Sequence, residues 1–210
     1  GMQAAFVDIG LDRAAFLYAG DIYPEFLETK KNPKDLDDPD ATMSEAIPRS
    51  RPRTGHPPIQ DLIKERQEIV VQVSKDPIST KGARVTTHIT LPGRYMVFMP
   101  TVDHIGISRR IGRDRERRKL RSFVSKHRPK GGGFIVRTVC AGQPTSSLKA
   151  DMDFLMDGWE QIKTNRKEKK APAQLHSEPN LCIRLVRDGF TDDVQRMVID
   201  DQDIHKQVND

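Results

Sequence analysis

The 210 residues (23.8 kDa) are 36% hydrophobic and 31% charged, with a net charge of +5; ordinary globular chains are about 45–50% apolar and about 25% charged. One or two domains around a modest core follow, and no apolar run approaches the ~20 residues of a membrane span. The opening GMQAAFVDIG lacks a basic region, an apolar stretch and a cleavage site, and Cys140 and Cys182 are too few and too far apart for a zinc motif or disulfide framework, so a cytoplasmic setting is expected.

In chain order, AAFVDIG and RAAFLYAGDI read as two short strands joined by a glycine-containing turn, with Phe6 and Phe16 spaced as residues on paired strands. Between Tyr23 and Pro58 seven prolines and almost no periodicity predict a long loop. IVVQV (69–73), ARVTTHITL (83–91) and YMVFM (95–99) read as strands, the last a buried one. RDRERRKLRSFVSK, from Arg113 to Lys126, has helical character with Leu120 and Val124 four apart; KGGG breaks it, and FIVRTV (134–139) is a strand. Leu148, Met152, Leu155, Trp159 and Ile162 then share one helical stripe, core rather than a cofactor box, and the helix dissolves into KTNRKEKKAP. EPNLCIRLVRDGF followed by DDVQRMVIDD reads as helix, short helix, strand.

Charge is unevenly spread along this order. Eleven Lys or Arg and two acids lie between Arg109 and Lys130, so the rest of the chain sums to −4, while Glu25 to Glu45 holds seven acids against three lysines. A basic window of this kind is either a solvated helix face or the footprint of a polyanion site.

Catalytic motifs are scarce. The sequence has no phosphate loop ending in Lys-Ser/Thr, no Gly-x-Ser-x-Gly and no His-Glu-x-x-His. His88 and His176 are possible general bases, but isolated histidines are more often surface or hydrogen-bonded residues. Asp200, Asp201 and Asp203 suggest magnesium, yet acids after a strand commonly start a turn, and no second acidic strand end completes a cage. RNA binding is better served: Phe6 and Phe16 could stack bases while Lys75 and Lys81 hold phosphates, the competing reading being that both rings are core. In FIVRTV, Arg137 and Thr138 near a strand end combine a guanidinium fork, a hydroxyl and a backbone N–H, which is phosphate-binding equipment unless the arginine serves a structural ion pair.

AAFVDIGLDRAAFL, EIVVQVSKDPISTKGARVTTHITLPGRYMVFMP, GISRRI, FIVRTV, the Trp159 helix and VRDGFTDDVQRMVIDD resemble, in wording and order, the amino-terminal half of the ribonuclease E / ribonuclease G family, apart from the proline-rich loop and the basic helix. The resemblance implies an α+β chain: an S1-like, OB-type antiparallel barrel over 1–87, its first strand missing and a proline-rich loop at 24–58, then a mixed α/β 5′-sensor module over 88–178, then part of an RNase H-like domain over 179–210.

It also implies an endoribonuclease parent that cleaves single-stranded RNA in RNA processing and decay, prefers a 5′-monophosphate end, and forms a homo-oligomer. By the same resemblance Phe6, Phe16, Lys75, Lys81, Arg109 and Arg110 would face RNA, and Gly93, Val97, Arg137 and Thr138 would form the 5′-phosphate pocket, with Gly93 and Val97 lining its approach. No catalytic residue and no metal is expected in this chain, since the family's magnesium aspartates and inter-subunit zinc motif, CPxC, lie further along the parent. Two other readings remain from the residues: a stand-alone S1-like RNA-binding protein without nuclease activity, and a small hydrolase using His176 and the Asp200 cluster.

Overall fold

Alternation of small apolar and aromatic residues sets the first hairpin. In the computed structural model, which describes residues 3–23, 57–79, 81–190 and 194–209, β1 (Ala4–Val7) and β2 (Ala15–Tyr18) pair antiparallel with Phe6 directly opposite Phe16. Ala15 and Leu17 point into a core with Ala19, Ile22, Leu62, Ala83 and Val85, and by the two-residue period Phe16 and Tyr18 take the other face. Each fully buried Leu or Val of this cluster contributes roughly 1.5–3 kcal/mol.

The sheet is completed by β3 (Gln72–Lys75) and β4 (Arg84–Thr86) in the order β1-β2-β4-β3. A wholly antiparallel barrel was the expectation; among the described residues these strands form an open four-stranded sheet in which β2 and β4 run parallel. A parallel pair needs a crossover of about a dozen residues or more, and the chain between Tyr18 and Arg84 supplies it, entering the core at α1 (Ile59–Leu62). Gly82 makes the pairing possible: a Cβ there would lie 2.0 Å from the Ala14 carbonyl oxygen, where the Phe16 N–H donates to the Ala83 carbonyl at 2.8 Å. The expected strand at 69–73 begins only at Gln72 and runs to Lys75, while Ile69 and Val71 ahead of it are partly buried against the first core. The proline-rich segment at 24–56 lies outside the described residues.

The second sheet has the order β5-β6-β8-β7, from β5 (Leu91–Pro92), β6 (Met96–Met99), β7 (Ile105–Ile107) and β8 (Gly133–Val136). All four residues of β6 are buried, as the continuous apolar run YMVFM requires. Phe98 and Phe134 stack across the β6–β8 pair with centroids 4.7 Å apart. Parallel β7 and β8 are joined through α2 (Asp114–His127), which buries Leu120 and Val124. The Trp159 stripe forms α3 (Thr145–Glu168), burying Leu148, Met152, Leu155 and Ile162 while Trp159 stays half-buried; α3 packs on β5 and β6. FIVRTV is a strand only to Val136, and Thr138–Cys140 is a tight 3-10 turn instead.

The chain divides into two compact units, Gly1–Ala173 and Gln174–Asp210. The second contains α4 (Leu181–Gly189), whose Asn180 cap accepts the Ile183 N–H at 3.0 Å, and α5 (Gln202–Asn209). The short helix and strand expected from DDVQRMVIDD are not found in its described part: residues 194–199 are irregular, and 191–193 lie outside the described residues. Among the described residues Val198 pairs with no strand, and it is 78% exposed; Asp201 caps α5 by accepting the Ile204 N–H at 2.9 Å. Among the described residues no helix is long and apolar enough to cross a membrane.

Candidate nucleic-acid interface

Strand direction gathers one set of polar residues at a single end of the second sheet. β7 and β8 are parallel and β6 is antiparallel to β8, so the segment before β6 and those after β7 and β8 emerge together: 93–95, 108–110 and 137–138. The Arg137 N–H donates to the Tyr95 carbonyl at 2.9 Å and the Ser108 N–H to the Val136 carbonyl at 2.9 Å. Arg137 Nη1 donates to the carbonyls of Gly93 at 2.7 Å and Arg94 at 3.1 Å. The Thr138 hydroxyl lies 2.8 Å from that of Ser108. Arg109 and Arg110 stand exposed in the turn that the Ile111 N–H closes onto the Ser108 carbonyl at 3.2 Å. Of the four pocket residues the resemblance names, Arg137 is half-buried and Thr138 exposed, whereas Gly93 and Val97 are buried.

Asp151 of α3 clasps the same segment from the other side. Its Oδ1 accepts the Arg94 N–H at 2.9 Å, and its Oδ2 accepts the N–H groups of Tyr95 at 3.0 Å and Met96 at 2.9 Å. A Cβ on Gly93 would sit 2.7 Å from both carboxylate oxygens, so the glycine makes room for Asp151. Sequence reading missed Asp151 because its partners lie 55 to 57 residues away; Ser108 was legible only as the hydroxyl preceding the basic pair in GISRRI.

A second surface lies on the outer face of the first sheet. Phe6 is 64% exposed and is not core; its ring meets that of Phe16 at 5.1 Å, tilted by 53°. Beside them, missed in the sequence, the Arg84 guanidinium lies over the Tyr18 ring, 5.0 Å from its centroid, and pairs with Asp21 at 2.7 Å. Lys75 is the register partner of Arg84, which itself faces Phe16 across β2–β4, and Lys81 is exposed in the connection from β3 to β4. Aromatic faces flanked by cations are what a single-stranded nucleic acid needs, since bases stack and phosphates are held with little dependence on sequence.

The proposed acid–base groups find no such company. His88 is 7% exposed against the edge of the Tyr23 ring, and His176 lies in an exposed irregular segment. Asp201 is engaged as a helix cap, and among the described residues no three His, Cys, Asp or Glu side chains are grouped to hold a metal ion. Cys140, beside Thr138, is fully buried; burial, then the charges of Asp151 and Glu116, push its thiol up to about 12, so it stays protonated and is not a nucleophile near neutral pH.

Residues 90–210 match the model of the Ribonuclease E/G family. Ribonuclease G of Escherichia coli is 39% identical over 200 residues, covering 95% of this chain and 37% of the relative. Ribonuclease G of Haemophilus influenzae is 37% identical over 201 residues, 95% of this chain and 37% of the relative; Ribonuclease E of Nostoc is 35% identical over 201 residues, 95% of this chain and 26% of the relative. The chain thus spans little more than a third of the ribonuclease G relatives it matches. With the matched region containing the whole Gly93–Thr138 cluster and Asp151, the chain belongs to the Ribonuclease E/G family.

Proposed function

We propose that this chain is the RNA-binding and 5′-monophosphate-sensing segment of a ribonuclease E/G-type endoribonuclease that cleaves single-stranded RNA. The observation that carries the reading is the convergence of Ser108, Arg109, Arg110, Arg137 and Thr138 at one end of the second sheet. A terminal monophosphate carries between one and two charges and several acceptor oxygens; guanidinium groups, two hydroxyls and the N–H of a strand end are donors suited to it. In this reading Gly93 and Val97 hold the turn and strand that frame the site rather than touching the phosphate. The first sheet serves as the S1-type part, with Phe6 and Phe16 stacking bases and Lys75 and Lys81 on phosphates. Hydrolysis, its magnesium, the zinc link and homo-oligomer formation are assigned to the parent enzyme, acting in the cytoplasm, and not to these residues.

Matched oligonucleotides differing only at the 5′ end test the reading. Monophosphorylated RNA should bind more tightly than hydroxyl RNA by about 1.5–3 kcal/mol, the range for hydrogen bonds to charged groups, and Arg137→Ala should erase the difference. Because Arg137 also holds the Gly93 and Arg94 carbonyls, Arg137→Lys accompanies it, keeping the charge without the planar fork. Equal binding of both RNAs by the folded wild-type chain would overturn the proposal.

A further inference from the structure

The proposed 5′ site uses Arg109, Arg110 and Arg137, and most of the basic window lies beyond it on α2. The inward side of α2 is occupied: Leu120 and Val124 are buried, Glu116 accepts the Gly142 N–H at 2.7 Å, and Arg117 Nη1 donates to the Ser108 carbonyl at 2.7 Å. The outward side carries Arg115, Arg118, Lys119, Ser122, Ser125 and Lys126, all exposed. Their spacing of three, four, seven, ten and eleven residues from Arg115 makes them one stripe, and the stripe contains no acid.

Among the described residues no carboxylate pairs with any of its four cations, whereas the exposed faces of α3 follow the ordinary pattern, with Lys149 paired to Asp153 and Lys163 to Glu160. A helix that only needed solubility would be laced the way α3 is, since i,i+4 pairs favour the helix and unpaired like charges oppose it.

Position gives the stripe a partner. Arg117 reaches the carbonyls of Ser108 and Ile111, and Arg121 Nη1 that of Ile105 at 3.3 Å. The helix therefore starts beside Ser108, which bonds Thr138, and runs back past β7, its 14 residues spanning about 21 Å at 1.5 Å per residue. We propose that the outward face of α2 binds the phosphate backbone of the RNA leading away from the 5′ end, an extension that rests on the proposed 5′ site. Arginine forks and lysines neutralise phosphates, and Ser122 and Ser125 supply hydroxyl donors between them, a mixture that tracks a backbone without reading bases.

The test is the full chain carrying Arg115→Gln, Arg118→Gln, Lys119→Gln and Lys126→Gln, titrated across salt with 5′-monophosphorylated RNAs of about 4 and about 16 nucleotides, the span of single-strand site sizes. Four phosphate contacts at about 0.7 each should lower the salt slope for the long RNA by about 3 and weaken its binding at least tenfold, with the short RNA little changed. Melting matched to wild type shows the variant folded. An unchanged slope, an equal loss for both lengths, or polyglutamate captured by the stripe while RNA affinity holds would overturn the proposal. Arg137→Ala in parallel keeps the two readings apart: its failure to alter the 5′-end preference defeats the 5′ site, while the titrations of the quadruple variant decide the α2 surface.

Discussion

Asp151→Ala removes the single acceptor that holds three consecutive backbone donors, the N–H groups of Arg94, Tyr95 and Met96 at 2.9, 3.0 and 2.9 Å. Hydrogen bonds to charged groups contribute about 1.5–3 kcal/mol each. Asp151 is half-buried, so water reaches part of what is freed, and we expect a loss of about 3 kcal/mol in total, near the cost of one to two fully lost bonds. In a chain of this size that lowers the melting temperature by about 6–12 °C. Gly93→Ala should be destabilising by about 1–3 kcal/mol, because its new Cβ lies 2.7 Å from both Asp151 oxygens. Once the carboxylate is gone that clash is gone too, so the double variant should cost at least about 1 kcal/mol less than the sum of the singles. Urea denaturation of the four proteins, followed by circular dichroism, completes the cycle. Strict additivity, or an Asp151→Ala variant within about 0.5 kcal/mol of wild type, the usual range for an inconsequential surface change, would refute the reasoning. If Asp151 positions the proposed 5′ site, Asp151→Ala should also reduce the 5′-end preference without altering affinity for hydroxyl RNA.

Phe6→Ala should leave stability within about 0.5 kcal/mol, since the ring is 64% exposed, yet lower the affinity for monophosphorylated and hydroxyl RNA together by about 1–3 kcal/mol; unchanged filter binding by the folded variant would remove the stacking role. Cys140 should resist iodoacetamide at pH 8 while the half-buried Cys182 reacts, and peptide mapping that finds Cys140 modified in the folded chain would contradict its burial. Its raised value also sets a sign for stability: the protonated thiol's contribution is complete below the ordinary 9.0 and is lost as the pH climbs toward about 12. Across that window wild type should lose stability relative to Cys140→Ala by up to about 1.4 kcal/mol per pH unit, measured as paired urea midpoints.

Periodicity made β2, β6, α2 and α3 legible, because each has one apolar face or run long enough to reveal its period: Leu148 to Ile162 for α3, Met96 to Met99 for β6. By sequence, Arg137 and Thr138 needed to stand near a strand end to share a target, and β8 ends at Val136. β7 escaped notice because three residues, Ile105 to Ile107, carry no period and owe their place to parallel pairing through α2. α5 was hidden behind Asp201, whose capping role resembles an acid at a strand end. Asp151 had no local signature at all, its partners being backbone groups on another element. The neighbour that Gly93 leaves room for in this structure, Asp151, had no sequence signal: a missing Cβ says that something comes close, not what.

The two proposed RNA surfaces are joined by a short and well-fastened connection. Between Thr86, where β4 ends, and Leu91, where β5 begins, the Gln72 side chain bonds both backbone groups of Thr90, its Oε1 accepting the N–H at 2.8 Å and its Nε2 donating to the carbonyl at 3.0 Å. Gln72 opens β3 in register with Thr86, so the amide ties the first sheet to the strand that begins the second. Two weak contacts on one ligand multiply only when the first holds the second at high effective concentration, and that concentration falls as a connection lengthens or loosens. On the proposed function, stacking on Phe6 and Phe16 would be indifferent to the 5′ end, and the Arg137 end of the second sheet would be indifferent to bases. On that reading, joining the two surfaces through Thr90 would let a 5′ phosphate raise the affinity of the whole bound strand.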